Sequence, residues 1–444
     1  MKLHTKIFFG MLLGVVAGIL LQQFTEASWI QSDGVGGMSV STLDPSCERA
    51  TWLAPLVMVA DIFMRLLKML IVPLILSSIV TGVTTVAGGK EFGRLGGKTL
   101  LYYMTTSILA ICGGLLVVNL FQPGIGADLG LLVPDSFEAG QGRSFADIFV
   151  RMVPPNIFAA LTENGQMLQV IVFALIIGFF IARTPSPHGP RIRGLFESFF
   201  EVMMRVAEWV LSLVPYGVFA LVAKVVGETG LEVFKPLAFF MAIVTGTLLL
   251  HAMVVLPLIL RFVGKVSPIG WARAMAPALM TALTTSSSSM TLPVTLECAE
   301  KRGKAGNKTS SFVLPLGATI NMDGTALYEC VGVIFLSQYY ASHSPVFDLT
   351  LGMQFFVVIT ALLASIGAAG IPSAGLVLKA TILKALGLPD DGVLLLLAID
   401  RPLDMLRTAV NVWSDSCGVA LIAKSEGVPV LLEEAPPVPP PASG

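Results

Sequence analysis

The sequence predicts an all-α polytopic membrane protein, and two observations carry that prediction. Of its 444 residues, 55% are hydrophobic and 13% are charged, whereas soluble domains carry about 25% charged residues. Apolar stretches of about 20 residues, the length that a helix needs to cross a bilayer, also recur along the whole chain. The net charge of −1 provides no basic surface for nucleic acid. We therefore expect the lipid bilayer, and no nucleic acid, among the partners.

Six apolar spans come first, at about 5–23, 51–87, 97–121, 146–182, 197–225 and 233–263. Pro73 predicts a kink in the second span, and the fourth span is long enough to be broken. The first span follows basic residues, as the apolar part of a signal peptide does, but it lacks a small-x-small cleavage site. We therefore interpret it as a retained first helix.

The pattern changes after these spans. Segments 269–300 and 350–384 are apolar at both ends but carry SSSS and AAGIPSAG in the middle. Such centres predict re-entrant helical hairpins rather than complete spans. A span at about 309–337, interrupted by NMDGT, follows the first hairpin, and a helix at 394–424 follows the second. A hairpin followed by a helix, occurring twice, indicates an internal inverted repeat.

The basic residues indicate the orientation. If each hairpin returns to its starting side, the basic loops fall on one side of the membrane. The opposite loops, at 24–50, 122–145, 226–232 and 338–349, hold few basic residues. The positive-inside rule then places both termini in the cytoplasm. The terminal segment EEAPPVPPPASG is too rich in proline to fold.

The helix predicted at 394–424 carries a polar stripe through an apolar sequence. A charged residue at the centre of a bilayer costs roughly 2.5 to 3.5 kcal/mol, so such side chains face a bundle interior and pair or bind there. The stripe therefore predicts a path for ions and solutes. The alternative is a buried salt-bridge seam that only joins helices, although carboxylate oxygens remain once Arg407 is paired. Helical spacing returns these polar side chains to one face: Asp400, Asp404, Arg407, Thr408, Asn411 and Asp415.

The segment NMDGT predicts a second polar element inside the membrane. Asn321, Asp323 and Thr325 lie among apolar residues, and Gly324 favours a break in the helix. Unwound backbone exposes carbonyl groups beside a carboxylate, and hard cations prefer such oxygen ligands. An ordinary turn is the alternative, but irregular backbone at membrane depth is tolerated only where it is buried or lines a cavity. We therefore expect a cation site here.

The serine run of the first hairpin offers hydroxyls and backbone amides at the hairpin tip; a solvated linker is the alternative. An intramembrane serine hydrolase would need a general base. His251 is the only histidine in the apolar spans, and we interpret it as a packed residue. Because no base is available, we expect a protein that is not an enzyme.

Four segments occur in the order SSSSMTLPVT, LPLGATINMDGTALYE, SIGAAGIPSAG and DMLRTAVNVWSD. With them, nearly the whole chain resembles a prokaryotic member of the glutamate transporter family, the dicarboxylate/amino acid:cation symporters. The resemblance implies eight transmembrane helices, two hairpins, a homotrimer and an elevator-type transport domain in the bacterial inner membrane. It assigns scaffold helices 1 and 2 to 1–87, transport-domain helix 3 to 88–121, scaffold helices 4 and 5 to 122–226, the transport core from helix 6 to helix 8 to 227–425, and a disordered cytoplasmic tail to 426–444.

The resemblance also implies a substrate site. Asp404 would bind the amino group of a small anionic substrate, and Arg407 would bind its side-chain carboxylate. The implied substrate contacts are Ser287, Ser288, Ser289, Thr325, Gly370, Ile371, Pro372, Ser373, Ala374, Gly375, Asp404, Arg407, Thr408 and Asn411.

Sodium ions are the implied coupling ions, with protons as a further candidate. Glu329, four residues after Thr325 on the same helical face, is the proton-coupling candidate, because its apolar setting favours the neutral carboxyl group. The implied sodium sets are Gly317, Asn321, Asn411 and Asp415 for the first ion, Thr319, Met322, Ser365, Ile366 and Ala368 for the second, and Tyr103, Thr106, Ser107, Asn321 and Asp323 for the third.

Two positions depart from the family pattern. Ser286 stands where archaeal members place an arginine, and Met405 stands where animal members place one. Asp404 therefore lacks its usual cationic neighbour. Arg401, three residues earlier, could take that place or extend outward.

Together these observations predict a secondary active transporter for glutamate, aspartate or C4 dicarboxylates, coupled to sodium, to protons or to both. A sodium-coupled carrier of neutral amino acids such as serine or threonine is the alternative within the class. An ion channel that uses the same polar path is the alternative from another class.

Overall fold

A computed structural model describes residues 3–33, 39–87, 94–129, 131, 150, 152–162, 167–232, 234–344, 347–366, 374–389 and 392–431. In this part of the chain, the regular structure is helical apart from one short sheet, in agreement with the predicted class. The helices are α1 (Leu3–Phe24), α2 (Glu48–Ala87), α3 (Arg94–Phe121), α4 (Ile157–Thr162), α5 (Met167–Arg183), α6 (His188–Ser212), α7 (Val214–Thr229), α8 (Phe234–Leu250), α9 (Leu256–Phe262), α10 (Pro268–Thr285), α11 (Ser288–Glu297), α12 (Asn307–Ile320), α13 (Asp323–His343), α14 (Leu351–Ile366), α15 (Ala374–Ala385) and α16 (Gly392–Ser425). Short π-helical turns at His251–Val255 and Cys298–Arg302 continue α8 and α11.

The sheet is a departure from the predicted all-α class. Strand β1 (Trp29–Asp33) pairs antiparallel with β2 (Ser39–Leu43), both within the predicted loop at 24–50. Tryptophan, isoleucine, valine and threonine favour strands, and the intervening sequence is rich in glycine, which favours a hairpin connection. The two five-residue strands contain no long apolar run, so the pattern that indicates membrane spans does not indicate them.

Four helices in the described residues are long and apolar enough to cross a membrane: Thr5–Phe24, Glu48–Thr84, Arg94–Phe121 and Phe234–Phe262. A fifth span results if α6 and α7 are counted together, although these two helices meet at 49°. The span predicted at 197–225 therefore consists of two helices that meet at a bend. Pro215, in the first turn of α7, has no N–H with which to continue the ladder from α6. The total of eight transmembrane helices stays a prediction.

Glycines let α1 pack closely on α7. Gly10, Gly14 and Gly18 recur every four residues, so they share one helical face. A methyl group built on Gly10 would lie 2.4 Å from the carbonyl oxygen of Pro215, and one on Gly14 would lie 2.7 Å from that of Phe219. The two backbones are therefore in contact, which is the close approach that small residues permit between membrane helices.

The helices pack mainly in two groups. Helices α5, α6 and α7 pack on α2, and α1 packs on α7. In the other group, α3, α14, α15 and α16 pack on α13, and α10–α12 pack on α16. All residues from Asp323 to Tyr340 in α13 are buried. The polar side chains of α13 and α16 therefore face protein, where they can find partners.

The first predicted hairpin is present, since α10 and α11 pack against each other on either side of Ser286 and Ser287. Ser286 adopts a left-handed φ of 52°, and the Ser287 hydroxyl accepts a hydrogen bond from the N–H of Met290 at the start of α11. In the second hairpin, α14 packs on α15. Its tip, at 367–373, lies outside the described residues.

The predicted break within NMDGT is also present. Helix α12 ends at Ile320 and α13 begins at Asp323, and Asn321 and Met322 have non-helical dihedral angles between them. The Asn321 N–H still donates to the Gly317 carbonyl group at 2.9 Å. The break therefore redirects the chain and leaves Asp323 at the N-terminus of a new helix.

The chain after α16 folds back onto the core. The Leu431 N–H donates to the Gly303 carbonyl oxygen at 3.0 Å. Glu426 accepts hydrogen bonds from Lys98 at 2.6 Å and from Arg94 at 2.5 Å, and these bonds hold the pKa of the Glu426 carboxyl below its usual range. The packed chain therefore continues past residue 426, where the sequence predicts the disordered tail to begin.

Candidate functional site

The predicted polar stripe of α16 is buried. An ionised side chain removed from water needs a partner, and the structure provides partners in two groups, one around Asp323 and one around Arg407. Each of the following stripe residues is at most 5% exposed: Asp400, Asp404, Arg407, Thr408, Asn411 and Asp415.

The first group, which we call the Asp323 cluster, consists of Thr106, Ser107, His251, Asp323 and Ser414. Asp323 Oδ1 accepts hydrogen bonds from Ser107 Oγ at 2.7 Å and from Thr106 Oγ1 at 3.3 Å. Asp323 Oδ2 accepts one from Ser414 Oγ at 2.6 Å and lies 3.2 Å from His251 Nε2. The break before α13 thus places a fully buried carboxylate among hydroxyls from α3 and α16.

Asp415 lies beside the Asp323 cluster. Asn321, in the helix break, donates from Nδ2 to Asp415 Oδ1 at 2.9 Å and to Ser414 Oγ at 3.1 Å. A methyl group built on Gly317 would lie 2.3 Å from Asp415 Oδ1 and 2.8 Å from the Tyr103 hydroxyl oxygen. The structure therefore brings together most members of the first and third predicted sodium sets. Their carboxylate, amide and hydroxyl oxygens are ligands that hard cations prefer.

The second predicted sodium set is described only in part. The hydroxyls of Thr319 and Ser365 donate to carbonyl groups in the preceding turn of their own helices. Met322 is buried beside the second hairpin. Ala368 and the side chain of Ile366 lie outside the described residues, so this set stays a prediction.

The second group surrounds Arg407. Its Nη2 and Nε donate to Asp404 Oδ1 at 2.6 and 3.2 Å, and Nη2 lies 3.5 Å from Asp400 Oδ1. Arg401 Nη1 donates to Asp404 Oδ2 at 3.3 Å, so Arg401 faces Asp404 rather than extending outward. The guanidinium carbon of Arg407 also lies 4.5 Å from the centre of the Tyr328 ring. The salt-bridge seam considered from the sequence is therefore real, but Arg407 Nη1 has no hydrogen-bond acceptor in the described residues.

Asn411 lies between the two groups. Its Oδ1 accepts a hydrogen bond from the Gly324 N–H at 2.7 Å, and its Nδ2 donates to Thr325 Oγ1 at 3.2 Å. Arg407 is one helical turn before Asn411 and Asp415 is one turn after it, so about 12 Å of helix axis separates the backbone positions of Arg407 and Asp415. The bonds of Asn411 tie this middle turn of α16 to the start of α13.

The structure describes some hairpin residues of the predicted substrate site, and others lie outside the described residues. Ser287 caps α11, Ser288 is buried and Ser289 is exposed. Gly375 lies against Arg407, because a methyl group built there would be 2.4 Å from Nη1. The Thr408 hydroxyl donates to the Asp404 carbonyl group. Ala374 begins α15, and its side chain, like Gly370, Ile371, Pro372 and Ser373, lies outside the described residues.

Sequence reasoning missed three side chains of this site. Ser414 is three residues after Asn411, so helical spacing could have added it to the stripe. His251 was interpreted as a packed residue; it is buried, but its ring faces Asp323. Lys379 is fully buried in α15. For His251 and Lys379 the available signal was an ionisable side chain within a membrane-embedded segment, which by default marks a functional site.

Replacing Gly317 with alanine is expected to weaken sodium binding, because the added methyl group would displace the Asp415 carboxylate from Asn321. Gly113→Ala is the matched control: Gly113 also lies inside a helix, but a methyl group there meets nothing within 4 Å. Each change replaces glycine with alanine inside a helix, which stabilises the helix by about 1 kcal/mol. The difference in sodium binding between the two variants therefore reports the steric effect. Sodium titrations followed by thermal unfolding would measure it. Identical sodium dependence of the two variants would contradict the placement of a cation beside Gly317.

Comparison with known proteins shows the family of the chain. The chain matches the Sodium:dicarboxylate symporter family over residues 3–425. It belongs to this family. Membership confirms the resemblance seen in the four sequence segments, and it agrees with a membrane transporter rather than an enzyme.

Relatives of the Sodium:dicarboxylate symporter family align over most of the chain. The proton/glutamate-aspartate symporter of Escherichia coli (strain K12) is 33% identical over 434 residues, which cover 96% of this chain and 93% of the relative. The proton/sodium-glutamate symport protein of Geobacillus stearothermophilus is 32% identical over 429 residues, covering 95% and 94%. Excitatory amino acid transporter 3 of Homo sapiens is 34% identical over 415 residues, covering 82% and 78%.

Proposed function

We propose that this symporter carries glutamate or aspartate across the bacterial inner membrane together with coupling cations. One observation carries the proposal: a buried cluster of oxygen ligands and a buried guanidinium lie two turns apart on α16, joined to α13 through Asn411. Oxygen ligands suit a hard cation, and a guanidinium suits a carboxylate. The relatives named for glutamate and aspartate support the same substrates.

The proposed substrate lies with its amino group at Asp404 and its side-chain carboxylate at Arg407. Asp404 and Arg407 are paired with each other at 2.6 Å in the structure. An acidic amino acid would replace this internal ion pair with two ion pairs, one between its amino group and Asp404 and one between its side-chain carboxylate and Arg407. A C4 dicarboxylate lacks the amino group and would leave Asp404 without that exchange. An acidic amino acid therefore fits the described groups better than a dicarboxylate does.

The proposed coupling ion is sodium, held by Asp415, Asn321 and the Asp323 cluster. Asp415 has no basic partner in the described residues, so a cation supplies the charge that burial demands. Sodium is cargo here, and its release on the far side of the membrane would restore the unbalanced carboxylate.

The proposed architecture is a homotrimer in which a transport domain moves against a scaffold. Scaffold helices 1, 2, 4 and 5 correspond to the group that packs on α2, and the transport domain corresponds to the group around α13 and α16. Eight transmembrane helices and cytoplasmic termini complete this proposal. Cross-linking of the purified protein in lipid would test the trimer.

Uptake into proteoliposomes tests the function. Labelled aspartate, glutamate, succinate and serine would be offered under a sodium gradient and, separately, under a proton gradient. We expect saturable uptake of aspartate and glutamate driven by at least one gradient. Concentrative uptake of serine alone would indicate the neutral amino acid carrier, and conduction without saturation would indicate a channel.

Glu329 provides a prediction about proton coupling. Its side chain is fully buried, and neither carboxylate oxygen has a hydrogen-bond partner in the described residues. Such a group is stable as a neutral acid or beside a cation, so its protonation can follow substrate binding. Glu329→Gln keeps the shape but cannot release a proton. We expect the variant to lose uptake driven by a pH gradient and to keep exchange of internal for external substrate.

The matched control for this experiment is Glu297→Gln, because the Glu297 side chain is 61% exposed and pairs only with Lys301 in the described residues. Both variants would be assayed for net uptake and for exchange in the same vesicles. Proton-driven uptake that survives Glu329→Gln would show that Glu329 is only a packing residue.

A further inference from the structure

The strongest unexplained feature of the site is a lysine on the second arm of the second hairpin. Lys379 in α15 is 0% exposed. Its ammonium group has no hydrogen-bond acceptor in the described residues and lies 3.4 Å from the centre of the Tyr328 ring. An aromatic face stabilises a cation only in part. A buried ammonium with three donors and no acceptor therefore calls for an anion.

The Lys379 ammonium lies close to the one Arg407 nitrogen that also lacks an acceptor. Arg407 Nη1 and Lys379 Nζ lie 2.4 and 3.6 Å from the position of a methyl group built on Gly375, so they are no more than 6.0 Å apart. Both nitrogens have no hydrogen-bond acceptor in the described residues. Two buried cations at this distance repel each other, and only the absence of a side chain at Gly375 leaves room beside them.

No carboxylate in the described residues makes a hydrogen bond to Lys379. Glu329 lies within electrostatic range of Lys379, but both of its oxygens and the lysine nitrogen have no hydrogen-bond partner in the described part of the chain. The two groups are therefore not hydrogen-bonded to each other. Asp404 binds Arg407 and Arg401. Asp400 lies 3.5 Å from Arg407 Nη2 and within electrostatic range of Lys379, but neither of its oxygens has a hydrogen-bond partner in the described residues. Neither nitrogen beside Gly375 therefore receives an acceptor from these carboxylates.

We propose that Lys379 and Arg407 form a two-cation clamp that holds the side-chain carboxylate of the substrate over Gly375. The clamp rests on the proposed function and deepens it. A carboxylate has two acceptor oxygens, so one can bind Arg407 Nη1 while the other binds Lys379 Nζ. Because the cations come from α16 and from the second hairpin, an anion between them also joins the hairpin to α16. Lys379 is then a specificity-determining residue that favours acidic over neutral substrates.

The clamp should bind two amino acids of the same shape with different affinities. L-aspartate offers a charged carboxylate to both cations, whereas L-asparagine offers a neutral amide with one acceptor oxygen. Removing the lysine charge should therefore weaken aspartate binding and leave asparagine binding nearly unchanged. A lysine that only supports packing or balances Glu329 would affect both amino acids alike.

Equilibrium binding to the purified full-length protein in lipid nanodiscs tests the clamp. Calorimetry at saturating sodium would give the affinities for L-aspartate and L-asparagine in the unchanged protein and in Lys379→Met, Lys379→Gln and Lys379→Arg. Lys384→Met is the matched control, because Lys384 lies on the same helix but is exposed. Sodium-dependent thermal stabilisation without substrate would verify that each variant is folded, and the arginine variant keeps the test decisive if the uncharged ones do not fold.

We expect Lys379→Met and Lys379→Gln to weaken aspartate binding by roughly 10- to 100-fold, the loss typical of a hydrogen bond to a charged group. Asparagine binding should change by less than about twofold, Lys379→Arg should retain a preference for aspartate, and Lys384→Met should match the unchanged protein. Equal losses for both amino acids, or no loss for aspartate, would overturn the clamp. Failure of the unchanged protein to bind aspartate would instead overturn the proposed function.

Discussion

Replacing Arg407 with cysteine is expected to lower the affinity for aspartate and glutamate by roughly 30- to several thousand-fold, while binding of serine is retained or improved. The estimate follows from the loss of one partner of a buried charge pair, which costs about 2 to 5 kcal/mol. A neutral amino acid has no side-chain carboxylate to leave unpaired. Cysteine also empties the volume beside Gly375, which gives an uncharged side chain room to bind.

The alternative is that Arg407 is a permanent structural partner of Asp404 and Asp400. This alternative is supported by the distances from Arg407 Nη2 to Asp404 Oδ1 and to Asp400 Oδ1, which are 2.6 and 3.5 Å. Its consequences differ, however, because removing a structural arginine leaves Asp400 without its paired cation and Asp404 with Arg401 alone. Breaking a buried pair typically destabilises a protein by about 3 to 5 kcal/mol. Poor folding and equal loss of all substrates would follow.

Transport and binding of aspartate and serine by Arg407→Cys would separate these cases. Arg193→Cys is the matched control: Arg193 on α6 is 40% exposed and pairs with Glu197, which is 42% exposed, so this change removes a guanidinium from an exposed carboxylate. Arg407→Lys should recover little aspartate binding, because an ammonium group cannot reproduce the planar fork. A variant that folds normally and loses serine and aspartate equally would contradict a role in reading the carboxylate.

Much of the membrane core followed from the sequence. The serine run and NMDGT each interrupt an apolar stretch, and backbone inside a membrane can leave the helix only where protein surrounds it. The hairpin at Ser286 and the break at Asn321 were therefore predictable. The stripe of α16 was predictable for a related reason, since helical spacing and the cost of burying charge together fix its direction.

Contacts between distant segments did not follow in the same way. His251 and Lys379 each stand alone in an apolar sequence, so no local pattern says which charge they face. His251 faces Asp323, 72 residues away along the chain, and Lys379 faces Tyr328. The bend at Leu213 escaped because composition is apolar on both sides of it, and only Pro215 indicated an interruption.

Replacing Asp415 with asparagine is expected to weaken sodium binding by roughly 10- to 100-fold and to remove most of the stabilisation that sodium provides. The reason is the unusual isolation of this carboxylate. Its Oδ1 accepts one hydrogen bond, from the neutral amide of Asn321 at 2.9 Å, and no basic side chain pairs with Asp415 in the described residues. Asp323 differs, because hydroxyls and His251 surround it. A charge-assisted interaction is worth about 1.5 to 3 kcal/mol, which sets the expected loss.

The sign of the stability change makes this prediction specific. Without sodium, the unchanged protein buries an uncompensated charge, so Asp415→Asn should unfold at the same temperature or a higher one. With increasing sodium, the unchanged protein gains stability by mass action, whereas the variant gains little. The two unfolding curves should therefore cross as sodium rises. Asp348→Asn, at an exposed position outside the helices, is the control and should follow the unchanged protein throughout. Parallel curves for Asp415→Asn and the unchanged protein would show that the cation is held elsewhere, because a ligand that binds sodium must alter the sodium dependence when its charge is removed.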